Sequence, residues 1–120
     1  MKRILKLEEW AQLALAFYLL SILPVHLSWW GWVVLFFAPD LSMIGYAVNS
    51  KTGAVLYNLV HHKALAAALI LAGLVFDNHS LQAGGVLLWA HSAFDRILNY
   101  GLKYSDSFQH THLGMIGQKR

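Results

Sequence analysis

Cysteine is absent from the 120-residue sequence, which excludes disulfide frameworks, thiolate metal sites and cysteine nucleophiles. Charge is also scarce, because Asp, Glu, Lys and Arg together make up 12% of the residues, about half the share found in an ordinary soluble domain. Apolar side chains make up 58%, and a chain of this size has too little interior to bury them all. A soluble enzyme, a disordered chain and a collagen-like fibre therefore fit poorly, whereas a membrane protein fits well.

Long stretches without any Asp, Glu, Lys or Arg mark the candidate membrane spans. Residues 10–39, 64–76 and 78–94 carry none, and a transmembrane helix needs about 20 mainly apolar residues. We therefore predict an all-α protein, a four-transmembrane-helix up-and-down bundle that forms a single integral membrane domain over residues 1–120. The predicted spans cover about 9–24, 30–48, 54–76 and 81–100, followed by a short polar C-terminal tail at 101–120.

Two alternatives compete with this interpretation. A soluble four-helix bundle would carry a polar stripe on each helix, and Ala64–Phe76 has almost none. The N-terminal segment resembles a signal peptide, but Glu8 and Glu9 directly precede its apolar run and no A-x-A-like cleavage site closes it. We therefore expect the first span to remain in the mature protein.

Two of the predicted spans contain an irregular residue. Pro39 lies inside the second span, where it removes a helical hydrogen bond and frees a carbonyl group, so that we expect a kink or a break. Lys63 lies inside the third span, which makes this span the weakest, and its side chain is expected to snorkel towards the interface.

The basic residues indicate the orientation in the membrane. In a four-span arrangement all nine fall towards one side, while the opposite connections at 24–29 and 77–80 contain no Lys or Arg. The positive-inside rule then places both termini in the cytoplasm. We expect a multi-pass protein of the plasma (inner) membrane. The nine residues are Lys2, Arg3, Lys6, Lys51, Lys63, Arg96, Lys103, Lys119 and Arg120.

This placement also accounts for the net charge of +3 and the pI near 9.3. The expected partners are the lipid bilayer and anionic lipid headgroups. No nucleic acid partner is expected, because Lys and Arg form no run with interleaved aromatic residues. Homo-oligomerisation is left open.

The same topology gathers polar residues in the cytoplasmic half of the bundle. His61, His91 and Asp95 are expected on the order of 8–14 Å below the interface, a depth at which polar groups are costly and usually functional. His91 and Asp95 lie four positions apart in the sequence and share one helix face. In helix bundles such side chains bind metal ions, and imidazole with carboxylate suits zinc, manganese or iron. Asp40, behind Pro39, is expected to complete the set.

The alternative for each of these residues is structural. His91 and Asp95 can form an interhelical hydrogen-bond pair, typically worth about 0.6 kcal/mol in a membrane. Asp40 can cap the break at Pro39. In the tail, His110 and His112 belong either to a lid over the site or to a flexible end.

Several segments, taken in order along the whole chain, resemble a family of small bacterial four-helix membrane proteins of unknown function. The resemblance implies that ten residues coincide with family motif positions, and it favours His112 over His110. The segments are Pro39–Tyr46, Tyr57–His61, Ala90–Arg96, Gly101–Tyr104 and Thr111–Gly114. The ten residues are Asp40, Tyr57, Asn58, His61, His91, Asp95, Arg96, Lys103, Thr111 and His112.

A weaker resemblance links the chain to small inner-membrane metal-dependent hydrolases. These proteins combine a Pro-Asp motif with membrane-embedded histidines, and Pro39-Asp40 matches that motif. Their His-Arg-x-x-Thr-His-Ser motif is missing from this sequence.

The first functional hypothesis is a metal enzyme that hydrolyses a lipid-like or phosphorylated substrate. The predicted metal ligands are His61, His91, Asp95 and Asp40, and the predicted catalytic residues are Asp95, His91 and Arg96. The predicted substrate-binding residues are Tyr57, Asn58, Lys103 and His112. The alternatives are a non-enzymatic module that binds ions or protons and a structural module that binds a partner protein, so that the sequence leaves enzymatic activity open.

Overall fold

The computed structural model describes residues 1–116, and most of them are helical, which confirms the predicted all-α class. Lys119 and Arg120, which the topology prediction used, lie outside the described residues. The elements are α1 (Lys2–Ile22), α2 (Trp29–Phe37), a 3-10 helix (Ala38–Ala47), α3 (Ser50–His61), α4 (Lys63–Val75), α5 (His79–Ile97), β1 (His110–Thr111) and β2 (Gly114–Met115).

Helix α5 lies at the centre, against both α1 and α4. Small residues allow the helices to approach closely, and a Cβ atom added at Gly85 would lie 2.8 Å from the carbonyl oxygen of Ala66 on α4. The core is therefore built around α5, the helix that also carries His91 and Asp95. The main apolar cluster comprises Leu13, Ala16, Val86, Ala90 and Ala93.

The second predicted span changes its helix type at the expected place. Helix α2 begins after Ser28, whose hydroxyl group accepts a hydrogen bond from the Gly31 amide at 3.3 Å. It ends at Phe37, and the chain continues as a 3-10 helix that contains Pro39 near its start. At Pro39, where a kink or a break was predicted, the structure shows a change from α to 3-10 geometry, and Asp40 lies in the 3-10 part of the span.

The third predicted span consists of two helices with a bend of 43° between them. Helix α3 ends at His61, and His62 has an extended backbone. The Nδ1 atom of His62 then accepts a hydrogen bond from the Ala64 amide at 3.1 Å and caps α4. Nothing in the hydrophobic pattern predicted this break.

Lys63, the first residue of α4, binds two side chains of α1. Its Nζ atom donates to Glu9 Oε2 and to Gln12 Oε1, both at 2.6 Å, and Trp89 also donates to that Gln12 oxygen at 3.0 Å. The half-buried ammonium group therefore links α4 to α1 and α5. The prediction of snorkelling did not include these partners, and it stays a prediction.

One helical segment, Trp29–Ala47, is long and apolar enough to cross a membrane, and α3 with α4 passes the same test as a bent pair. Within residues 1–116 no other helix passes it. The four predicted spans coincide with helical segments of the fold, but the four-span topology itself stays a prediction.

The segment that follows α5 is ordered against the helices. Strands β1 and β2 pair antiparallel, with Thr111 opposite Gly114, and Lys103 forms an isolated bridge with Thr111. Thr111 is buried, and its hydroxyl group donates to the Gly114 carbonyl oxygen at 2.7 Å. This part of the predicted tail is therefore a folded hairpin that returns to the helices.

Candidate metal centre

The four side chains predicted to bind a metal ion meet at one point. Ligand atoms of Asp40, His61, His91 and Asp95 all lie within 4.8 Å of one another. His61, His91 and Asp95 are buried, while the side chain of Asp40 is 36% exposed. The cluster is therefore enclosed on most sides and opens beside Asp40.

Three segments of the chain supply these side chains. His91 and Asp95 lie one turn apart on α5, as their spacing predicted. Asp40 lies in the first turn of the 3-10 helix, and His61 is the last residue of α3. Two of the four residues thus lie at helix interruptions, where the chain changes direction close to α5.

The distances within the cluster suit a divalent ion. His91 Nε2 is 3.1 Å from Asp40 Oδ1 and 3.6 Å from Asp95 Oδ1. His61 Nε2 is 3.2 Å from Asp95 Oδ2 and 3.6 Å from Asp40 Oδ1. Ligand atoms around tetrahedral zinc lie roughly 3.4 Å apart, because each is about 2.0–2.1 Å from the ion. Four of the six pairs are therefore close to that spacing, two of them through different oxygen atoms of Asp95, and the full set lies within 4.8 Å.

Backbone carbonyl groups orient both imidazole rings. His61 Nδ1 lies 2.9 Å from the Tyr57 carbonyl oxygen, and His91 Nδ1 lies 2.7 Å from the Phe36 carbonyl oxygen. A carbonyl oxygen only accepts, so each Nδ1 carries the proton and each Nε2 presents a lone pair when the ring is neutral. Metal-binding histidines are usually held in this way, and both Nε2 atoms point into the cluster.

The Phe36 carbonyl group lies near the end of α2, two residues before the 3-10 helix begins. Its oxygen lies 2.7 Å from His91 Nδ1. Because Pro39 has no amide hydrogen, the sequence predicted a freed carbonyl group in this part of the chain, but it named neither the residue nor a partner for it.

Tyr57 fixes two members of the cluster. Its hydroxyl group donates to Asp95 Oδ2 at 2.7 Å, and its ring stacks on His61 with the ring centres 3.8 Å apart. Tyr57 is only 2% exposed. Although Tyr57 was predicted to bind substrate, its contacts in the structure position Asp95 and His61.

The charges of the cluster favour a cation. With both imidazole rings neutral, Asp40 and Asp95 leave the site with a charge of about −2. No Lys or Arg among residues 1–116 forms an ion pair with either carboxylate. The buried Nε2 atom of His61 also has no hydrogen-bond partner in that part of the chain. A divalent cation would balance the charge and give this nitrogen a partner.

Asn58 and Lys103 form one unit beside the cluster. The Asn58 side chain donates to the Lys103 carbonyl oxygen at 2.7 Å and accepts from the Lys103 amide at 2.5 Å. Lys103 is 5% exposed, and its Nζ atom lies over the rings of Phe108 and Tyr57, 3.8 and 4.7 Å from their centres. Burial lowers the pKa of Lys103 to about 8, although the nearby Asp95 raises it.

A pocket of about 370 Å³ connects Lys103 with the cluster. Asp40, Asp95 and Lys103 supply its charged groups, and aromatic side chains form much of its wall. The pocket is large enough for a small polar group next to the candidate metal centre. Its lining residues are Phe37, Asp40, Met43, Tyr57, Phe94, Asp95, Leu98, Tyr100, Lys103, Phe108 and Ile116.

Arg96 and His112 lie elsewhere. Both line a separate pocket of about 280 Å³ together with Lys2, Lys6 and Glu9 of α1. His112 Nδ1 accepts a hydrogen bond from the Leu102 amide at 2.7 Å, and burial, reinforced by the nearby Arg96 charge, lowers the pKa of His112. The structure therefore does not bring these two predicted site residues into the pocket beside the cluster.

His110, the other tail histidine, points away from the site. Its Nδ1 lies 2.9 Å from both carboxylate oxygens of Asp106 at the tail surface. This hydrogen bond lowers the pKa of Asp106. His110 thus serves the tail itself.

Two contributors to the site were not predicted from the sequence. Phe36 orients His91 through its backbone carbonyl group, and no side-chain pattern in the sequence marks that carbonyl. Phe108 covers Lys103, and no local pattern in the tail marks it. Residues that act through the backbone or by packing leave little trace in a single sequence.

A family model described as a domain of unknown function, DUF4260, matches residues 2–116. No curated protein matches the chain, and no solved structure matches it. The match spans nearly the whole chain and names no activity, so that the chemistry has to be inferred from the site.

Proposed function

We propose that this chain, which belongs to the DUF4260 family, is an integral membrane protein that uses a divalent metal ion to hydrolyse a lipid-like or phosphorylated substrate. The single observation that carries this proposal is the cluster of Asp40, His61, His91 and Asp95, with both histidine Nε2 atoms aimed at one point. Of the ions that suit imidazole with carboxylate, we propose zinc, manganese or iron.

The surface of the helices supports a membrane location. Large apolar side chains are exposed along α1, α2 and the 3-10 helix, and such extended patches mark contacts with lipid or protein. Trp29 at 79% and Leu41 at 76% are among the most exposed of them, so that folding buries little of their surface. A bilayer would bury this surface.

We propose four crossings, with both termini in the cytoplasm of a bacterial cell. The first crossing is α1, the second α2 with the 3-10 helix, the third α3 with α4, and the fourth α5. The positive-inside rule supports this topology, because the connections at 24–29 and 77–80 lack Lys and Arg. The candidate metal centre then lies in the cytoplasmic half of the membrane.

The residues around the cluster suit hydrolysis of an anionic substrate. A divalent ion supplies such a reaction with a nucleophile by lowering the pKa of water to near neutrality. Tyr57 holds Asp95 in place through its 2.7 Å hydrogen bond, and the backbone of Phe36 does the same for His91. Lys103 supplies a positive charge in the same pocket, where it would attract an anionic group.

Metal analysis of the purified protein tests the proposal. After equilibration with zinc, manganese or ferrous ions in an uncharged detergent, we expect one ion per chain by elemental analysis. His61→Ala and Asp95→Asn should each lower the affinity by at least roughly tenfold, since each removes one ligand of the set.

The matched control is His79→Ala, which removes an exposed histidine outside the cluster. It should bind metal as the wild type does. A wild-type protein that holds no stoichiometric metal ion under any of these conditions would refute the proposal.

A second candidate function is the binding or relay of protons. It is favoured by the composition of the cluster, because two carboxylates with two neutral imidazoles carry a net charge of about −2, and the uptake of two protons brings the net charge of the cluster to zero. Proton flux into liposomes should then fall in Asp95→Asn. A flux that Asp95→Asn leaves unchanged argues against this function, and a purely structural module would show neither flux nor metal.

A further inference from the structure

A second cavity, larger than the pocket beside the cluster, lies between α1 and α2. Its volume of about 640 Å³ falls within the range of small-molecule sites. The wall is almost entirely apolar, with Leu13 and Phe17 on α1 and Trp32 and Val33 on α2. Such a cavity suits a hydrocarbon chain and offers little to a polar ligand.

The apolar cavity and the polar pocket share a wall. Phe37 and Phe94 line both of them, and their ring centres are 6.4 Å apart in an edge-to-face arrangement. Phe36 also lines the apolar cavity and lies against His91, with ring centres 5.4 Å apart. Only one layer of aromatic side chains therefore separates the apolar cavity from the candidate metal centre.

The polar pocket is lined by one cationic side chain, that of Lys103. Lys103 is buried and forms no ion pair with the residues that the structure describes. An ammonium group in such a position gains most from an anionic ligand, because water no longer stabilises its charge. The aromatic rings beside it provide only a partial substitute for a counter-ion.

From this arrangement we propose that the site binds a single-chain anionic amphiphile. Its hydrocarbon chain lies in the cavity between α1 and α2, and its anionic head lies in the polar pocket beside Lys103, so that binding requires the side chains of Phe37 and Phe94 to move apart. The identity of this ligand as the substrate rests on the proposed function, whereas its binding does not.

The test uses the full chain in nanodiscs of phosphatidylcholine, with dodecyl phosphate bearing a terminal bromine as the probe. Bromine quenches nearby tryptophan, and Trp32 lines the cavity. We expect saturable quenching on top of the linear quenching caused by partition into lipid. Brominated dodecanol should bind at least tenfold more weakly, and inorganic phosphate at the same concentration should not displace the probe.

Two variants test the binding of the anionic head and of the hydrocarbon chain separately. Lys103→Met should weaken the binding of the phosphate probe at least tenfold and leave the alcohol unaffected. Val33→Phe narrows the cavity and should weaken both probes. Val55→Phe is the matched control, because Val55 is an exposed valine on α3 outside the cavity, and it should bind as the wild type does.

Quenching that stays linear in the wild type, equal affinity for the phosphate and the alcohol, or an unchanged Val33→Phe would each refute the amphiphile site. Displacement by inorganic phosphate alone would show a free-anion site and refute it as well. Metal content is measured in the same samples. Bound metal without saturable quenching supports the metal centre and refutes the amphiphile site. Saturable quenching without bound metal supports the amphiphile site and refutes the proposed hydrolysis.

Discussion

At the scale of single residues, the site depends on groups that hold the metal ligands in place. His61 and His91 each place Nδ1 against a backbone carbonyl oxygen, and Tyr57 holds Asp95. The sequence predicted all four candidate ligands because charged and polar side chains are rare in apolar spans. It predicted Tyr57 as a substrate-binding residue and did not predict the two carbonyl groups, since every residue carries a carbonyl group.

Tyr57→Phe removes the hydroxyl group that donates to Asp95 and keeps the ring that stacks on His61. We expect metal affinity to fall about 10–100-fold, the usual effect of losing a hydrogen bond to a ligand, with one ion still bound at saturation. A competition titration with a chelating dye measures the affinity. Tyr18→Phe, at an exposed tyrosine, is the control. Unchanged affinity in Tyr57→Phe would mean that this hydrogen bond does not orient Asp95.

Lys103 should make stability depend on pH. Its pKa is about 8 in the folded protein and 10.5 in a model compound, so between these values the unfolded chain binds a proton that the folded chain lacks. The free energy of unfolding should therefore rise with pH between these values, by about 1–3 kcal/mol in total. Below pH 8 the buried Lys103 is charged, and the destabilisation caused by burying that charge is fully present.

Denaturant unfolding in detergent between pH 7 and about 11 measures this effect. Lys103→Met should abolish the rise, whereas Lys51→Met, at an exposed lysine, should retain it. Equal pH profiles for Lys103→Met and the wild type would contradict the assignment.

At the scale of helices, two interruptions build the site. Asp40 follows the change to a 3-10 helix, and His61 precedes the break at His62. The first interruption could be predicted because proline has no amide hydrogen. The second could not, because no glycine or proline marks it, and it depends on the side chain of His62 capping the next helix.

Helix α5 offers a direct test of the close packing that supports the cluster. A Cβ atom at Gly85 would lie 2.7 Å from the Ile70 backbone nitrogen, whereas at Gly84 it would meet nothing within 4 Å. Gly85→Ala should lower the free energy of unfolding by about 1–3 kcal/mol through overpacking. Gly84→Ala should leave it unchanged or raise it by up to about 1 kcal/mol, since alanine favours a helix.

Chemical denaturation of both variants in the same detergent measures this contrast. A Gly85→Ala protein as stable as Gly84→Ala would contradict the close approach of α4 and α5.

At the scale of the whole molecule, the proposed topology of four crossings makes a prediction about which side of the membrane each connection faces. The natural chain has no cysteine, so that single cysteines report one position each. With four crossings, Ser80→Cys lies on the outer side and Ser105→Cys on the cytoplasmic side. In intact cells a membrane-impermeant maleimide should label only Ser80→Cys, and after permeabilisation it should label both. Both serines are exposed, so labelling of Ser105→Cys in intact cells would overturn the proposed orientation.

The sequence by itself determined the helical class, the interruption at Pro39 and the four residues of the cluster. These features follow from local rules, namely hydrophobic pattern, backbone chemistry and the rarity of polar groups in apolar segments. Tertiary structure alone decided that the tail folds back to bury Lys103, that Arg96 and His112 line a different pocket, and that Phe36 orients His91. The physical reason is that each of these depends on contacts between segments distant in the chain, which side-chain spacing along one helix does not encode.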